Sequence, residues 1–190
     1  ISVLALMEKM YLGIDDSFLL KSPKFKDRRG SFSRGFCKSW FGEFEIQQIN
    51  WSSNLRRGTV RGFHFQTGEY REEKIITVAH GAVDIYICDL RSEQGISNVR
   101  KVTLHAISED QVGGDSDNAV ALKIGKHVAV AFQTTADNTL VNYLMSASYN
   151  PSCYRGFNAL DPSLNIEWSL PVTVMSERDR NLPRYDELCG

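Results

Sequence analysis

Apolar and polar residues alternate with a period of two along much of this chain, the pattern of strands that bury one face. Alternating or valine-rich runs occupy residues 59–66, 74–79, 82–90, 99–105, 127–134 and 140–149. Turn-forming residues separate the runs, notably His80 and Gly81 and the stretch 113–118. Many short strands between turns predict an all-β sandwich or barrel, and a jelly-roll barrel fits the length.

Three segments depart from this alternation. Residues 16–36 read as a strand that enters a turn at 27–30. Residues 36–47 place four aromatic rings at the i, i+4, i+5 and i+8 positions of a helix, which predicts a short flanking helix. The last thirty residues show neither period and are expected to form an irregular tail packed over the barrel.

Length and composition fit one domain. The chain has 190 residues without a linker or repeat, so residues 7–190 are expected to form a single domain. Residues 1–6 precede Met7 and are interpreted as an upstream remnant. The apolar stretch at the start is too short to span a membrane and lacks the basic flank of a signal peptide.

The net charge and the cysteine and histidine patterns exclude further classes of protein. Lys and Arg number 22 against 23 Asp and Glu, for a net charge of −1, which argues against a nucleic-acid binder. The four cysteines form no CxxC pair, and reduced thiols in the cytoplasm are the preferred interpretation. No His-x-His motif occurs, so a metal site is not expected.

The segment 61–66 is the first candidate for chemistry. On a regular strand, Arg61, Phe63 and Phe65 share one face, while His64 and Gln66 share the other. A histidine and an amide that point together into a barrel need partners or a ligand. A hydrogen-bonded core histidine remains an equal alternative at this point.

Lys74 and two tyrosines are the other candidates. Lys74 begins an apolar strand and either ends in solvent or points inward, where its charge could stabilise an oxyanion. Tyr143 and Tyr149 lie on or near a strand, where tyrosines usually fill cores or edges. A buried phenol can also donate a proton.

Several segments together resemble the dTDP-4-dehydrorhamnose 3,5-epimerase family of nucleotide-sugar epimerases, from about Phe18 to Leu188. Each match is weak alone, but their order and spacing are specific. The matching segments are Asp27–Phe32, Gln48–Ser52, Val60–Gln66, Lys74, Asp84–Arg91, Tyr143–Pro151, Asp161–Pro162, Ile166–Trp168 and Ser176–Asp179.

The resemblance implies a cupin-like jelly roll with short flanking helices. It also implies a homodimer that exchanges N-terminal segments between subunits. The family needs neither a metal nor a cofactor, and its substrate is a nucleoside-diphosphate 4-keto-6-deoxyhexose.

The resemblance also implies roles for individual residues. His64 matches the general base, and Asp179 matches the carboxylate that orients it, with Asp84 as a second candidate for that carboxylate. Lys74 matches the lysine that stabilises the enolate oxygen, and Tyr143 matches the acid that protonates the opposite face. Five further residues match sugar- and phosphate-binding positions, namely Arg29, Arg61, Gln48, Asn50 and Arg178. Tyr149 matches the aromatic residue that stacks on the nucleobase.

Departures from the family pattern fall among the binding positions. Arg34 stands where the family has Glu, Val130 where it has His, and Tyr154 at the position of a Glu that follows Tyr-x-Pro. An additional segment lies around 111–121. Thymine presents an N–H at its N3, whereas cytosine presents an acceptor there that an arginine can donate to. If Arg34 contacts the base, it favours a CDP-linked substrate over a dTDP-linked one.

Three alternatives stay open. An altered pocket makes inversion at C3 alone slightly favoured over inversion at both C3 and C5. A non-catalytic nucleotide-sugar-binding barrel would have lost the acid–base residues that this chain retains. A nucleotide-sugar ketoisomerase would instead move the keto group, which product NMR would show.

Overall fold

A computed structural model describes residues 7–91, 99–106 and 119–188. These residues form two antiparallel sheets and a separate two-stranded hairpin. The strands, in chain order, are β1 (Glu8–Tyr11), β2 (Phe18–Lys21), β3 (Lys24–Asp27), β4 (Gly30–Ser33), β5 (Gln48–Asn54), β6 (Val60–Gln66), β7 (Lys74–His80), β8 (Ala82–Asp89), β9 (Val99–His105), β10 (Ala119–Ile124), β11 (Val128–Thr134), β12 (Thr139–Met145) and β13 (Tyr154–Gly156).

The strand order shows how distant parts of the chain meet. The larger sheet runs β1-β2-β10-β7-β12-β5, and the smaller one runs β13-β6-β11-β8-β9. One α-helical turn, α1 (Glu177–Arg180), and single 3₁₀ turns lie outside the sheets in the described ranges. The 3₁₀ turns are Lys38–Trp40, Gly68–Tyr70, Pro162–Leu164 and Asp186–Leu188.

The main core lies between the two sheets. Ile76, Leu122 and Val141 of the larger sheet pack against Ile85 and Val130 of the smaller one, and all five side chains are buried. Strands such as β9 and β5 bury alternate side chains, as the period-two pattern predicts, whereas β8 and β11 are buried on both faces. The prediction of an all-β jelly-roll fold is confirmed, with all six predicted strands in place.

The segment 36–47 corrects one prediction, because it is not a helix. Its regular part is the 3₁₀ turn Lys38–Trp40, and Gly42 follows in a left-handed conformation with φ of 62°. Phe41 and Phe44 are buried on the outer face of the larger sheet in an irregular backbone. Apolar spacing suited to a helix therefore serves here to cover a sheet.

The C-terminal segment confirms the expected irregular tail. It covers the outer face of the smaller sheet, where Phe157, Leu164 and Tyr185 pack against Phe63 and Phe65 of β6. This packing carries the helix α1 to the end of the sandwich where β6 and β13 lie side by side.

The hairpin of β3 and β4 pairs with no other described strand. It confirms the strand and turn expected within 16–36, and it exposes the rings of Phe25 and Phe32. No helix in the described ranges has the length and apolar character needed to cross a membrane. The proposed remnant 1–6, the turn at 113–118, Cys189 and most of the additional segment at 111–121 fall outside the described residues.

Candidate active site

A cleft of about 190 Å³ opens at one end of the sandwich, between β5, β7 and β12 of one sheet and β6 and β11 of the other. Seven of the eleven candidate site residues line it, namely His64, Lys74, Tyr143, Gln48, Asn50, Arg61 and Tyr149. The cleft also contains side chains from the loop that follows β12. Residues distant in the sequence thus converge on one concave surface.

His64 and Asp179 form the central contact of the site. The Nε2 atom of His64 lies 2.8 Å from Oδ1 of Asp179, which is buried beneath the imidazole. Ser176 caps the first turn of α1 and accepts a hydrogen bond from the backbone N–H of Asp179 at 3.0 Å. The sequence Ser-Glu-Arg-Asp therefore forms a capped turn that holds the carboxylate against the histidine.

The environment of Asp179 keeps it ionised. Burial alone would raise its pKa, but hydrogen bonds from His64, from the backbone N–H of Gly62 and from Ser176, together with the charge of His64, lower the pKa below its usual value. An ionised Asp179 accepts the Nε2 proton of His64, which leaves the lone pair on Nδ1. The imidazole is thereby prepared to act as a base.

A bulge in β6 corrects the predicted face of Arg61. Val130 pairs with His64, but Phe132 pairs with Arg61, so β6 contains one residue more than β11 in this stretch. Gly62 occupies this irregularity with φ of 108°, and a Cβ there would collide with the backbone of Val130. Arg61 consequently lines the same cleft as His64 instead of sharing the face of the buried Phe63.

Lys74 points inward and is not a solvated strand end. It is 7% exposed, and its Nζ lies 2.7 Å from Oε1 of Glu72, which is itself 4% exposed. The second oxygen of Glu72 is buried without a hydrogen-bond partner among the described residues. Among the described residues, the carboxylate of Glu72 therefore pairs with the ammonium group of Lys74. This buried ion pair forms part of the cleft wall.

Tyr143 lies on β12, opposite Asn50 of β5 and Ile76 of β7. Burial raises the pKa of its phenol well above the usual value, and the nearby charge of Arg61 offsets this only in part. The hydroxyl is therefore protonated at neutral pH. A protonated phenol in the cleft is suited to donate a proton.

Gln48 and Asn50 lie two residues apart on β5, so both side chains face the cleft. Nε2 of Gln48 donates to Oδ1 of Asn50 at 2.8 Å, and Oε1 of Gln48 accepts from the backbone N–H of Tyr149 at 2.8 Å. Tyr149 is 50% exposed at the mouth. The side chain of Gln48 thus connects the floor of the cleft to its rim.

Three candidate arginines do not line the cleft. Arg178 sits beside it, with its guanidinium carbon 4.8 Å from the ring centroid of Tyr154. Arg29 pairs with Asp27 in the exposed hairpin. Arg34 lies 5.8 Å from the ring centroid of Trp40. Within one subunit, the structure therefore does not bring Arg29 and Arg34 to the site.

Asp84 is separated from His64. Its carboxylate accepts a hydrogen bond from Thr103 at 2.6 Å and pairs with Lys101 at 3.0 Å, on the β8 and β9 side of the smaller sheet. Of the two carboxylates considered, Asp179 is the one that contacts the histidine. No group of three or more His, Cys, Asp or Glu side chains suited to a metal occurs in the described parts of the chain.

Among the cleft residues that had no predicted role are Trp51, Glu72 and Tyr154. Tyr154 lies nearest the chemistry, because its ring centroid is 5.3 Å from that of His64. The sequence contained one indication that Tyr154 belongs to the site, because it stands where the family pattern has a Glu. Glu72 and Trp51 gave no distinguishing signal, since an acidic loop and a strand tryptophan are ordinary features.

Comparisons with known proteins identify the family of the chain. The model of the family described as dTDP-4-dehydrorhamnose 3,5-epimerase matches residues 11–187. An enzyme of that name from Sinorhizobium fredii is 30% identical over 190 residues, covering 96% of this chain and 93% of the relative. A dTDP-4-dehydrorhamnose 3-epimerase from Streptomyces niveus is 29% identical over 175 residues, covering 90% of this chain and 80% of the relative.

A solved structure shares the fold. The crystal structure of dTDP-4-dehydrorhamnose 3,5-epimerase from Bacillus anthracis, with TDP and PPi bound, superimposes with a TM-score of 0.82 at 29% identity. The match covers 94% of this chain and 99% of that one. The cupin-like jelly roll and the family resemblance expected from the sequence are both confirmed.

Proposed function

The chain belongs to the dTDP-4-dehydrorhamnose 3,5-epimerase family, and we propose how its cleft performs the reaction of that family. It is a nucleotide-sugar epimerase of deoxysugar biosynthesis. The substrate we propose is a nucleoside-diphosphate 4-keto-6-deoxyhexose. The observation that carries the mechanism is the His64–Asp179 pair, which faces the same cleft as Lys74 and Tyr143.

The first step is removal of a proton from carbon 3. The neighbouring ketone acidifies this proton, because the electron pair left behind moves onto the ketone oxygen as an enolate. Nδ1 of His64 takes the proton, and the ionised Asp179 stabilises the resulting imidazolium through the 2.8 Å contact with Nε2.

The enolate oxygen carries the negative charge of the intermediate. The ammonium group of Lys74, which is buried in the cleft wall, donates to this oxygen. A buried, fixed charge stabilises an oxyanion more strongly than a charge at the surface does. Glu72 holds Nζ in place at 2.7 Å.

The second step returns a proton to the opposite face of carbon 3. Tyr143 donates its phenolic proton, the enolate collapses to the ketone, and the configuration is inverted. The sugar keeps its atoms, and the proton gained by His64 and the proton lost by Tyr143 balance through solvent before the next turnover. No cofactor enters this scheme.

The nucleotide is proposed to be dTDP. Relatives of this chain are named for dTDP sugars, and the related crystal structure contains TDP. The argument for CDP depends on Arg34 contacting the base. Within one subunit Arg34 lies by Trp40, outside the cleft, so that contact requires the segment of a partner subunit. A CDP-linked substrate is the alternative, and calorimetric titration with CDP and dTDP distinguishes the two.

Two further parts of the proposal concern stereochemistry and assembly. Inversion at C3 alone is proposed, with inversion at both C3 and C5 as the alternative. A homodimer is proposed because the β3–β4 hairpin presents Phe25, Phe32 and Arg29 away from its own cleft. A cytoplasmic location is proposed because the four cysteines form no CxxC pair and are interpreted as reduced thiols. Light scattering of the purified protein tests the dimer.

One experiment tests the reaction itself. The enzyme is supplied with dTDP- and CDP-linked 4-keto-6-deoxyglucose in deuterated water, and the products are identified by NMR. Deuterium at C3 with one inverted centre supports the proposal, whereas label at both carbons with two inverted centres refutes single inversion. Migration of the keto group would identify a ketoisomerase.

A further inference from the structure

Three rings form a continuous wall along one side of the cleft. The ring of Tyr154 lies between the other two, 5.3 Å from His64 and 5.3 Å from Tyr149 between centroids. Tyr149 meets it edge-on, with an interplanar angle of 66°. The wall therefore runs from the proposed base to the mouth of the cleft.

The backbone fixes Tyr154 in this place. Tyr154 begins β13 and pairs with Gln66 of β6, two residues beyond His64. The side chain of Gln66 also holds the preceding loop, since its Oε1 accepts from Asn150 N–H at 2.7 Å and its Nε2 donates to Ser148 at 3.2 Å. A ring anchored on the strand of the base keeps a constant distance from it.

Arg178 supports the ring from the C-terminal segment. Its guanidinium carbon lies 4.8 Å from the centroid of Tyr154, a cation–π contact. This contact uses the π face of the ring and leaves the guanidinium N–H donors of Arg178 available for a phosphate. A carboxylate in place of Tyr154 would pair with those donors instead.

We propose that Tyr154 is a sugar-binding residue, whose ring is the surface against which the hexose lies between His64 and the nucleobase. The assignment rests on the proposed function, in which His64 meets carbon 3 and Tyr149 meets the base. The hexose must then pass the ring that lies between them. The C–H groups and the C6 methyl group of a 6-deoxyhexose offer the apolar surface that such a ring buries.

Two substitutions separate the ring from its hydroxyl. Tyr154→Phe keeps the apolar surface, and we expect its KM for the 4-keto sugar nucleotide to stay within about twofold of wild type. Tyr154→Leu removes the aromatic face, and we expect its KM to rise about 5- to 20-fold, the scale of one aromatic contact. The dissociation constant for dTDP without the sugar should change less than about twofold in both variants, because only the sugar loses a contact. Tyr11→Leu makes the same change at an exposed ring of β1 and serves as the matched control.

The changes in KM, kcat and dTDP affinity of the two variants decide whether the ring of Tyr154 binds the sugar. A Tyr154→Phe variant as impaired as Tyr154→Leu would overturn it in favour of the hydroxyl. A fall in kcat with unchanged KM would overturn it in favour of a role in holding His64. Equal weakening of the binding of dTDP and of the sugar nucleotide would also overturn it.

If Tyr154→Leu does not fold, Tyr154→Phe and Tyr154→Met supply the same comparison. If the wild-type enzyme incorporates no solvent deuterium into any 4-keto-6-deoxy nucleotide sugar, the proposed function is overturned, and this assignment with it. The results with the Tyr154 variants bear on the assignment alone.

Discussion

Nε2 of His64 and Oδ1 of Asp179 lie 2.8 Å apart, although 115 positions separate the two residues in the chain. The contact joins strand β6 to the capped turn α1 of the C-terminal segment. A histidine held in this way is oriented and electrostatically supported for proton transfer.

Asp179→Asn tests the charge in this contact. The amide keeps the size of the side chain but can no longer stabilise an imidazolium, so kcat should fall about 100-fold or more. Glu177→Gln, an exposed change on the same turn, is the control and should leave kcat within about twofold. Steady-state kinetics on the 4-keto sugar nucleotide measure both. An Asp179→Asn enzyme with normal kcat would contradict the proposed role.

Tyr143→Phe separates proton removal from proton return. Without the phenolic proton the inverted product should form at least about 100-fold more slowly. His64 should still remove and return the C3 proton on its own face, so NMR should show deuterium at C3 of unchanged substrate. Because burial raises the pKa of Tyr143, the wild-type rate should show no loss from its ionisation near neutral pH. Loss of both exchange and inversion would count against a separate acid.

Lys74→Met tests stabilisation of the enolate. Removing one charge that faces the developing oxyanion should lower kcat about 100- to 1,000-fold, with little change in the affinity for dTDP. The matched change at the exposed Lys126, Lys126→Met, should have no effect on kcat. Calorimetry and rapid-quench kinetics provide the two readouts. Weaker dTDP binding without a fall in kcat would make Lys74 a nucleotide contact instead.

Gly62→Ala tests the bulge that brings Arg61 and His64 to one cleft. A Cβ at φ of 108° is strained and would collide with the carbonyl oxygen of Val130, so we expect a loss of at least about 2–3 kcal/mol in the free energy of unfolding. Gly68 also has positive φ, 64°, but open space around it, so Gly68→Ala should cost about 1 kcal/mol. Urea unfolding compares the two. Equal costs would show that the close approach at Gly62 is unimportant.

Asp161 predicts a pH-dependent contribution to stability. Burial raises its pKa, but hydrogen bonds from the backbone N–H groups of Tyr185 and Ser163 outweigh this and lower the pKa below its usual value of 3.8. A lowered folded-state pKa stabilises the protein above the unfolded value, and that stability is lost as the pH falls through the folded value. Asp161→Asn should therefore melt below wild type at pH 7, and the difference should shrink below about pH 3.8. A difference in melting temperature that stays constant down to pH 3 would rule out this linkage.

The sequence by itself determined the strands and the chemical groups. Period-two alternation follows from the local geometry of an extended chain, so runs such as 74–79 and 127–134 identified β7 and β11 without any long-range information. The same alternation placed His64 and Gln66 on the cleft side of β6. The order of the motifs was sufficient to indicate the family, because order and spacing are properties of the chain itself.

The tertiary structure decided everything that depends on two distant segments meeting. Asp179 and not Asp84 reaches His64, because the C-terminal segment packs over the smaller sheet while Asp84 faces β9. Arg61 joins the cleft through a bulge that is defined only relative to β11. The segment 36–47 does not form the helix that its aromatic spacing predicts. Burial of Phe41 and Phe44 on the larger sheet stabilises the irregular backbone more than a short isolated helix would stabilise the segment. Local sterics set the period of a strand, whereas the partner of a side chain is set by how the sheets close around the core.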